Sequence, residues 1–363
     1  MAGNEQREVL IPPNPEGVKF GWEYSAELRA PAFRGLMRYW LRAVLGGIVG
    51  TDEAGLADII NTEKTIFGTT DKSSMIRLRI SEVSHSPQKF LEKISTLVNG
   101  EYQATGKGYL FWSMSRSGKG SKYKPHRWYF PPSTTFQVKL TAPDQDTASF
   151  SQAIGVLWLL TNFGGVGSRS RRCAGSLMIK PLESLPSDVA NIPFREAASV
   201  GELKILLEDG IRVVRSLFSN LNQRPVQLPA FDVLSSDTCK IWIIRNQEIW
   251  KNPDDAMESI GESLQMYRKQ FSEAKARKLL GDEIPLDQRG FNKLKALEIF
   301  GLPLGKNSSR RGSPLLLRIT KLQREYVCIA VLFKTTVEDI LPQNYAIIED
   351  WINTFHVKER IVL

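Results

Sequence analysis

The sequence predicts an α+β protein in which two units repeat one order of strands and helices, and three observations lead to this prediction. Apolar residues alternate with polar ones along short segments, which is typical of strands, and recur every three or four positions along longer segments, which is typical of helices. In each half these segments follow the order strand, helix, strand, strand, helix, strand. Both halves also carry Ile-Phe-Gly, then a polar turn containing serine, then an alternating strand. The shared marker indicates an internal duplication.

The first half begins with a strand from Val18 to Leu28, where apolar side chains occupy every second position. Pro31 ends that strand, and helical spacing from Phe33 to Val49 predicts the first helix. The same two periodicities predict strands at 76–80, 136–140 and 177–182 and helices at 87–98 and 149–162. Residues 99–132 have no such periodicity and form a basic insertion.

The second half starts with a connecting region that contains one helix, from Val200 to Leu221. Each half has the βαββαβ order of the ferredoxin-like, or RRM-like, fold. The predicted fold class is therefore α+β, with two tandem ferredoxin-like domains, a basic insertion and a helical connecting region. The expected domains are 1–183, with the insertion 99–132, and 184–363. The second unit comprises strands at 241–244, 315–322, 326–333 and 360–363 and helices at 254–280 and 344–355.

Composition narrows the class of partner. The 363 residues carry a formal net charge of +9 with a pI of about 9.4, which favours nucleic acid or an acidic surface. The N-terminal stretch lacks the apolar core of a signal peptide, and the longest apolar runs are too short to span a bilayer. We therefore expect a cytoplasmic protein with no membrane partner. Cys173, Cys239 and Cys328 are far apart and have no CxxC spacing, so we expect free thiols.

The strongest candidate for a functional site is the stretch 162–177, NFGGVGSRSRRCAGSL, in which glycines and arginines interleave. Glycine lets a backbone bend sharply and approach a ligand, and successive backbone N–H groups can cup a phosphate oxygen. Arginine adds forked donors that match phosphate. The stretch predicts a helix–loop–strand unit that grips a polyanion, and the alternative is a flexible, solvated basic loop. The expected RNA-binding residues are Gly164, Gly165, Gly167, Ser168, Arg169, Ser170, Arg171 and Arg172, with the arginines exposed.

Further basic segments are candidates for RNA contact. Arg34, Arg38 and Arg42 are spaced by four residues and share one helix face, which indicates either an anionic partner or a solvated face. We expect this face to lie close to the glycine-rich stretch. The insertion interleaves basic and aromatic residues, which suits single-stranded nucleic acid because bases stack on rings while cations meet phosphates. The alternative is that its aromatic residues pack on the core. The remaining candidates are Lys122 and Lys124 in the insertion, and Lys306, Arg310 and Arg311 after the second Ile-Phe-Gly.

Four sets of motifs, spread over both halves, resemble those of a known family. They are ELRAPAFRGLMRYWLRAVLGG, Ile-Phe-Gly with its following strand, GGVGSRSRRCAGSL and FGLPLGKNSSRRGSPLLLRI. They resemble the RAMP (repeat-associated mysterious protein) superfamily of CRISPR proteins, and within it the Cmr1 type. The chain departs from that pattern where Cys173-Ala174-Gly175 replaces the usual Gly-Phe-Gly and where the opening strand lacks Thr-Pro-Leu.

The resemblance implies two ferredoxin-like domains in a subunit of a type III-B effector complex that acts in antiviral defence. It also implies crRNA and target RNA as partners, beside other CRISPR effector subunits of the RAMP (Cas7-like) and Cas10-like kinds.

Residues suited to catalysis form no recognisable pattern. HExxH, GxSxG and Walker A motifs are missing from the sequence, and its three histidines lie in separate elements. We therefore expect a non-catalytic RNA-binding subunit without a metal or another cofactor. Two alternatives stay open. Some backbone RAMP subunits similar to this chain cut target RNA with a loop aspartate and a metal, for which the candidates are Asp52, Asp58 and Asp71. A basic surface can also serve only to dock another subunit.

Overall fold

The computed structural model of the chain describes residues 6–9, 21–115, 126–143, 146–282, 284–288, 290–301, 312–336 and 344–363. The α-helices in this part of the chain are α1 (Ala30–Val49), α2 (Glu53–Phe67), α3 (Gly106–Phe111), α4 (Thr147–Phe163), α5 (Val200–Ser216), α6 (Pro253–Gln270), α7 (Glu273–Leu280), α8 (Lys293–Leu297) and α9 (Tyr345–Ile352). The strands are β1 (Gln6–Val9), β2 (Gly21–Tyr24), β3 (Arg77–Ser81), β4 (Gln88–Lys89), β5 (Ser95–Val98), β6 (Glu101–Ala104), β7 (Trp128–Tyr129), β8 (Gln137–Thr141), β9 (Cys239–Arg245), β10 (Leu286–Asp287), β11 (Gly290–Phe291), β12 (Leu315–Lys321), β13 (Tyr326–Phe333) and β14 (Val357–Ile361).

The largest sheet of the described residues lies in the C-terminal half. Its strand order is β12-β13-β9-β14, and all neighbours are antiparallel. Along the chain its elements run β9, α6 and α7, β12, β13, α9, β14, which is the βαββαβ order. Ile243 of β9 pairs with Ile329 of β13 on one side and with Glu359 of β14 on the other. β9 and β13 are therefore central strands, whereas β12 and β14 form the edges.

Both faces of this sheet are covered by helices. On β9, Ile241 and Ile243 join one hydrophobic cluster while Trp242 and Ile244 join another, because successive side chains of a strand point to opposite faces. The first cluster includes the apolar faces of α1, α4 and α5, and the second includes those of α6 and α9. Helices of the N-terminal half thus pack on the C-terminal sheet, which places α1 and α4 beside the strands that position the candidate site.

Among the described residues, the strands of the N-terminal half pair only two by two. β1 pairs with β2, β3 with β8, β4 with β7, and β5 with β6, all antiparallel. The fold is mixed α/β, with one four-stranded sheet and several two-stranded ones. The sheets therefore do not establish the predicted tandem pair of ferredoxin-like units.

The helix predicted at 87–98 is wrong. Residues 88–89 form β4, and residues 95–98 form β5, which turns back through Asn99 and Gly100 into β6. These two residues have φ angles of 50° and 82°, the left-handed conformation that Asn-Gly favours in a two-residue hairpin turn. Local turn chemistry therefore decides the structure here over the spacing of apolar residues.

The strand predicted at 177–182 is also wrong. The N–H of Ile319 on β12 donates to Ser176 Oγ at 3.1 Å, and Arg318 donates to the carbonyl of Leu177. Side-chain hydrogen bonds to the edge of β12 thus take the place of a backbone ladder, and residues 176–181 adopt no regular secondary structure.

Most other predicted elements are confirmed with small shifts of their ends. The helix predicted at 254–280 is two helices, because the chain is extended at Phe271 and Ser272 caps α7 by accepting a hydrogen bond from the N–H of Lys275. The first predicted strand overlaps β2, and its residues 18–20 lie outside the described part. Of the helices in the described ranges, none has both the length and the apolar character needed to cross a bilayer.

Candidate nucleic-acid interface

The three arginines of α1 differ in what they contact. Arg38 donates to two carbonyls at the C-terminal end of α2, at 2.8 and 2.7 Å. Arg42 forms a two-point ion pair with Glu63 of α2, and this hydrogen-bonded carboxylate raises the pKa of Arg42. Arg34 has no hydrogen bond or ion pair within the described ranges. A carboxylate of the chain itself therefore compensates most of the charge on this face, although the Arg42 side chain stays 52% exposed.

The glycines of 162–177 serve packing at two positions and leave one position open. A Cβ on Gly175 would lie 1.8 Å from the Val166 carbonyl oxygen, and Gly175 has a φ of +65°. A Cβ on Gly164 would lie 2.5 Å from Nε1 of Trp40 on α1. Gly167 has a φ of +104° with open space around it, so it marks the tip of the loop. Gly167 and Ser168 are exposed, Arg169, Ser170 and Arg171 are half-buried, and Gly164, Gly165 and Arg172 are buried.

The C-terminal part of this loop is attached to the edge strand β12. The N–H of Cys173 donates to the Leu317 carbonyl at 2.9 Å, and the N–H of Leu317 donates to the Arg171 carbonyl at 3.4 Å. Cys173 has a φ of 72°, a conformation that few residues other than glycine adopt. The loop is therefore held to the sheet by backbone pairing, and the picture of a flexible, solvated loop does not describe residues 171–173.

Arg171 joins the loop to α1 and to the segment before β9. Its guanidinium pairs with Asp232 at 2.6 Å, donates to the Ser313 carbonyl at 2.7 Å and lies 5.7 Å from the ring centre of Tyr39. Tyr39 OH in turn donates to the same Asp232 carboxylate at 2.7 Å. The loop therefore contacts α1 through Tyr39, the neighbour of Arg38 in sequence, whereas the described contacts of the loop include none with Arg34, Arg38 or Arg42, the face that was predicted to lie close to it. The expectation that Arg171 is exposed is wrong, because its donors face groups of the chain itself.

Arg172 is more deeply buried, with only 6% of its surface exposed. Its Nη2 donates to the carbonyl of Phe300, and burial lowers the pKa of Arg172 to about 10. A solvated arginine was expected here, so this expectation is wrong as well. The exposed residues of the loop are Gly167 and Ser168 at its tip and Gly175 near its C-terminal end, while Arg169 and Ser170 are half-buried.

Arg169 reaches to the base of the basic insertion. Its guanidinium donates to Ser113 Oγ and lies 5.9 Å from the centre of the Trp112 ring. The base of the insertion is closed where the N–H of Arg127 donates to the Met114 carbonyl at 2.8 Å. Burial lowers the pKa of Arg169 and the charge of Arg127 lowers it further, so the two guanidinium groups lie near each other. Residues 116–125, which leave and return here, lie outside the described part.

A second basic segment also begins and ends beside the loop. Arg172 holds the carbonyl of Phe300, and Arg171 holds the carbonyl of Ser313. Gly301 has a φ of +68°, and a Cβ there would lie 2.4 Å from the backbone of Ser313. Gly301 and Ser313, which flank the segment 302–311, are therefore side by side near the arginines of the loop.

The glycine-rich loop thus lies at the bases of two segments whose sequences carry positive charge and no carboxylate. Residues 116–125 read RSGKGSKYKP, and residues 302–311 read LPLGKNSSRR. The predicted contacts Lys122, Lys124, Lys306, Arg310 and Arg311 lie in these segments, outside the described residues.

A cavity of about 470 Å³ lies beside the loop, where α1 and α2 meet the segment before β9. Arg38, Arg42, Glu63 and Asp232 are among the residues that line it. The arginine face of α1 and the partner of Arg171 therefore border the same space. Its mixture of both charges does not favour an anion over a cation.

The aspartates considered for metal-dependent cleavage have structural contacts. Asp52 caps α2 by accepting a hydrogen bond from the N–H of Gly55 at 2.8 Å, and Asp58 pairs with Arg224 at 2.8 Å. Asp71 is exposed in the turn after α2. Within the described part of the chain, His, Cys, Asp and Glu form no group of three or more that could hold a metal ion. The cysteines expected to be free thiols are free and buried.

The structure brings residues to the loop that the sequence pattern did not single out. Asp232 and Arg268 lie far from the loop along the chain, and no local motif marks them. Arg268 lies 5.8 Å from the ring centre of Phe300, whose carbonyl Arg172 holds. Long-range contacts alone reveal these residues, since neither periodicity nor composition distinguishes them from other surface charges.

The chain is similar to proteins of the RAMP superfamily in sequence and in fold. The family model of the RAMP superfamily matches residues 15–177, from the region before β2 to the end of the glycine-rich loop. The crystal structure of apo Cmr1 from Pyrococcus furiosus superposes with a TM-score of 0.58, covers 92% of this chain and 91% of that chain, and is 20% identical in sequence. At that identity the likeness shows the fold alone.

Two curated relatives from Pyrococcus furiosus identify the family more closely. CRISPR system Cmr subunit Cmr1-1 is 32% identical over 153 residues, which span 42% of this chain and 40% of that protein. CRISPR system Cmr subunit Cmr1-2 is 30% identical over 176 residues, which span 44% of this chain and 89% of that protein. The chain belongs to the Cmr1 family of the RAMP superfamily, although it matches less than half the length of Cmr1-1.

Proposed function

We propose that this chain is an RNA-binding subunit of a type III-B CRISPR effector ribonucleoprotein and that it contacts guide crRNA, target RNA or both in antiviral defence. One observation carries the proposal: the exposed tip of the glycine-rich loop stands at the closed bases of two carboxylate-free basic segments. Membership of the Cmr1 family supports assembly with other subunits of such a complex. The subunit itself binds rather than cleaves.

The contacts at the tip suit single-stranded RNA. Phosphates of a strand would meet Ser168, Arg169 and the lysines of the insertion, which fix the position of the backbone without reading bases. Trp112 is 47% exposed and lies against Arg169, so it offers a ring on which a base can stack. Arg34 on α1 is half-buried and has no ion pair among the described residues, so it is a further candidate for RNA contact.

The proposal includes a second ferredoxin-like unit in residues 1–183 that has the order βαββα, with the irregular residues 176–181 in the place of its last strand, and the domain boundary at 183 and 184. The pairing of two strands and the positions of two helices support this unit. β3 and β8 pair antiparallel, as β12 and β13 do at the same place in the order, and α1 and α4 stand where the two crossover helices belong. An experimental structure in which β3 or β8 joins the sheet of the C-terminal half would contradict it.

RNA affinity measured against salt tests the proposal. Each lost single-strand phosphate contact reduces the slope of log affinity against log salt by about 0.7, so replacing Arg169, Lys122 and Lys124 together by Ala should flatten it by about 2. The assay is fluorescence anisotropy of a labelled single-stranded RNA at several salt concentrations, with a melting curve for each protein.

A matched control removes three positive charges at the opposite edge of the sheet. Arg212 of α5 and Lys358 and Arg360 of β14 are exposed, and β14 is the edge farthest from β12. Their joint replacement by Ala should leave the salt slope near that of wild type. Equal slopes for all three proteins, with unchanged melting, would show that the loop is not an RNA contact and would favour a surface that only docks another subunit.

A further inference from the structure

Two arginines meet at Phe300 with part of their hydrogen-bonding capacity unused. Nη2 of Arg172 donates to the Phe300 carbonyl, and the guanidinium of Arg268 lies 5.8 Å from the centre of the Phe300 ring. In each of them the Nη1 atom is buried and has no hydrogen-bond partner among the described residues. A buried donor on a charged group without an acceptor is strongly unfavourable, so these atoms indicate an acceptor that the described residues do not supply.

The charge around these atoms is of one sign. Burial is the main cause of the lowered pKa of Arg172; the charges of Arg268 and Arg169 act in the same direction, and Tyr109 and Cys173 act against them. Burial and, after it, the charge of Arg127 lower the pKa of Arg169. Tyr109 lies near both Arg172 and Arg268, and burial raises its pKa, so its hydroxyl is neutral at pH 7. No described carboxylate perturbs the pKa of Arg169, Arg172 or Arg268.

The flanking sequence does not supply the missing negative charge either. The segments 116–125 and 302–311, whose ends lie beside Arg169 and Arg172, contain no aspartate or glutamate. Arg38 and Arg42 of α1, by contrast, approach one another and share the Glu63 carboxylate. The cluster at Phe300 departs from that pattern.

We infer that Arg172 and Arg268, with Arg169 at the rim and the Tyr109 hydroxyl as a further donor, form a pocket for one phosphate group of the bound RNA strand. Phosphate presents several acceptor oxygens and full negative charge, which matches forked guanidinium donors better than a single carbonyl or hydroxyl does. The inference rests on the proposed function, since it assigns one nucleotide position of the bound strand to a defined pocket. Trp112, held against Arg169, then lies beside the base next to that phosphate. The phosphate is either an internal phosphodiester or a terminal phosphate of the RNA.

Inorganic phosphate tests the pocket without RNA. A ligand bound only to the folded protein raises its stability by mass action, so the melting temperature of wild type should rise by about 2 °C or more at phosphate concentrations tenfold above Kd. Sodium chloride of equal ionic strength is the reference. Arg268→Gln should abolish the phosphate-specific rise while folding at least as well as wild type, because it removes an uncompensated charge.

The control for this measurement is Arg277→Gln. Arg277 lies on the neighbouring helix α7 and is paired with Glu273, so its replacement should preserve the phosphate-specific rise. An equal rise in wild type, Arg268→Gln and Arg277→Gln would overturn the inference, as would no phosphate-specific rise in wild type. Arg172→Gln is a second variant, and the test does not depend on whether this buried replacement folds.

Modified RNA separates the two sources of phosphate. Oligonucleotides of one sequence would carry a 5′-phosphate, a 3′-phosphate, neither, or a neutral methylphosphonate at a single internal position. Wild type should lose about tenfold or more in affinity when the recognised phosphate is absent or neutral, since a charge-assisted hydrogen bond is lost, and Arg268→Gln should show no such difference.

The two ideas fail in different ways. A phosphate-specific rise with no affinity for any of the RNAs would refute RNA binding and leave the anion pocket. RNA binding that is indifferent to Arg268→Gln and to every neutral linkage would refute the pocket and leave the proposed function.

Discussion

Replacement of Arg171 by Ala should destabilise the fold, because Arg171 links the loop to three other parts of the chain. The change removes the ion pair to Asp232 at 2.6 Å, the hydrogen bond to the Ser313 carbonyl at 2.7 Å and the stacking on Tyr39 at 5.7 Å. A hydrogen bond to a charged group contributes about 1.5–3 kcal/mol, and breaking a buried ion pair costs about 3–5 kcal/mol. The Arg171 side chain is 32% exposed, so solvent screens the pair. We therefore expect a loss of about 2–4 kcal/mol in the free energy of unfolding.

The measurement is urea unfolding at neutral pH, followed by circular dichroism and by tryptophan fluorescence to test whether the transitions coincide. Arg212→Ala is the matched control, since Arg212 is 75% exposed and pairs only with Asp209 on its own helix, so its loss should be within about 0.5 kcal/mol. Asp232→Asn completes a double-mutant cycle with Arg171→Ala and isolates the pair. A loss below about 0.5 kcal/mol for Arg171→Ala would refute the reasoning.

Three further replacements test the packing and the electrostatics. Gly175→Ala should destabilise the protein by about 2 kcal/mol or more, because alanine would have to adopt a positive φ and its Cβ would clash with the Val166 carbonyl. Gly35→Ala should instead stabilise it by about 0.5–1 kcal/mol, because a Cβ on this face of α1 meets open space. The midpoints of urea unfolding of the two variants and wild type measure both effects. Burial raises the pKa of Glu349, but the hydrogen bonds and charges of Lys240 and Lys334 lower it more. The pKa of Glu349 in the folded state is therefore below its ordinary value. The stability difference between wild type and Glu349→Gln should be full above the ordinary carboxyl pKa of about 4.3 and should shrink as the pH falls through the lowered value. A difference that does not depend on pH between 3 and 7, in melting curves over that range, would contradict the assignment.

The elements whose signals are local can be predicted from the sequence alone. Helical spacing marks α1 because its apolar face meets the core along its whole length, and the strand predicted at 326–333 has the bounds of β13. The four-stranded sheet follows from the order of such elements. Even the missed hairpin at 95–104 has its signal in the sequence, since Asn99-Gly100 is a turn by the chemistry of its two residues. The motifs that resemble the RAMP superfamily likewise pointed to the family without a structure.

The contacts of the arginines in the glycine-rich loop depend on the tertiary structure and cannot be predicted from the sequence. Arg169, Arg171 and Arg172 are close in sequence, yet one lies on Trp112, one pairs with Asp232 and one is buried against Phe300. Side-chain direction in an irregular loop has no period, so spacing cannot separate a phosphate contact from a structural ion pair. The partners come from distant parts of the chain, and they meet the loop because β12 is an edge strand whose free hydrogen-bonding groups residues 171–176 can use.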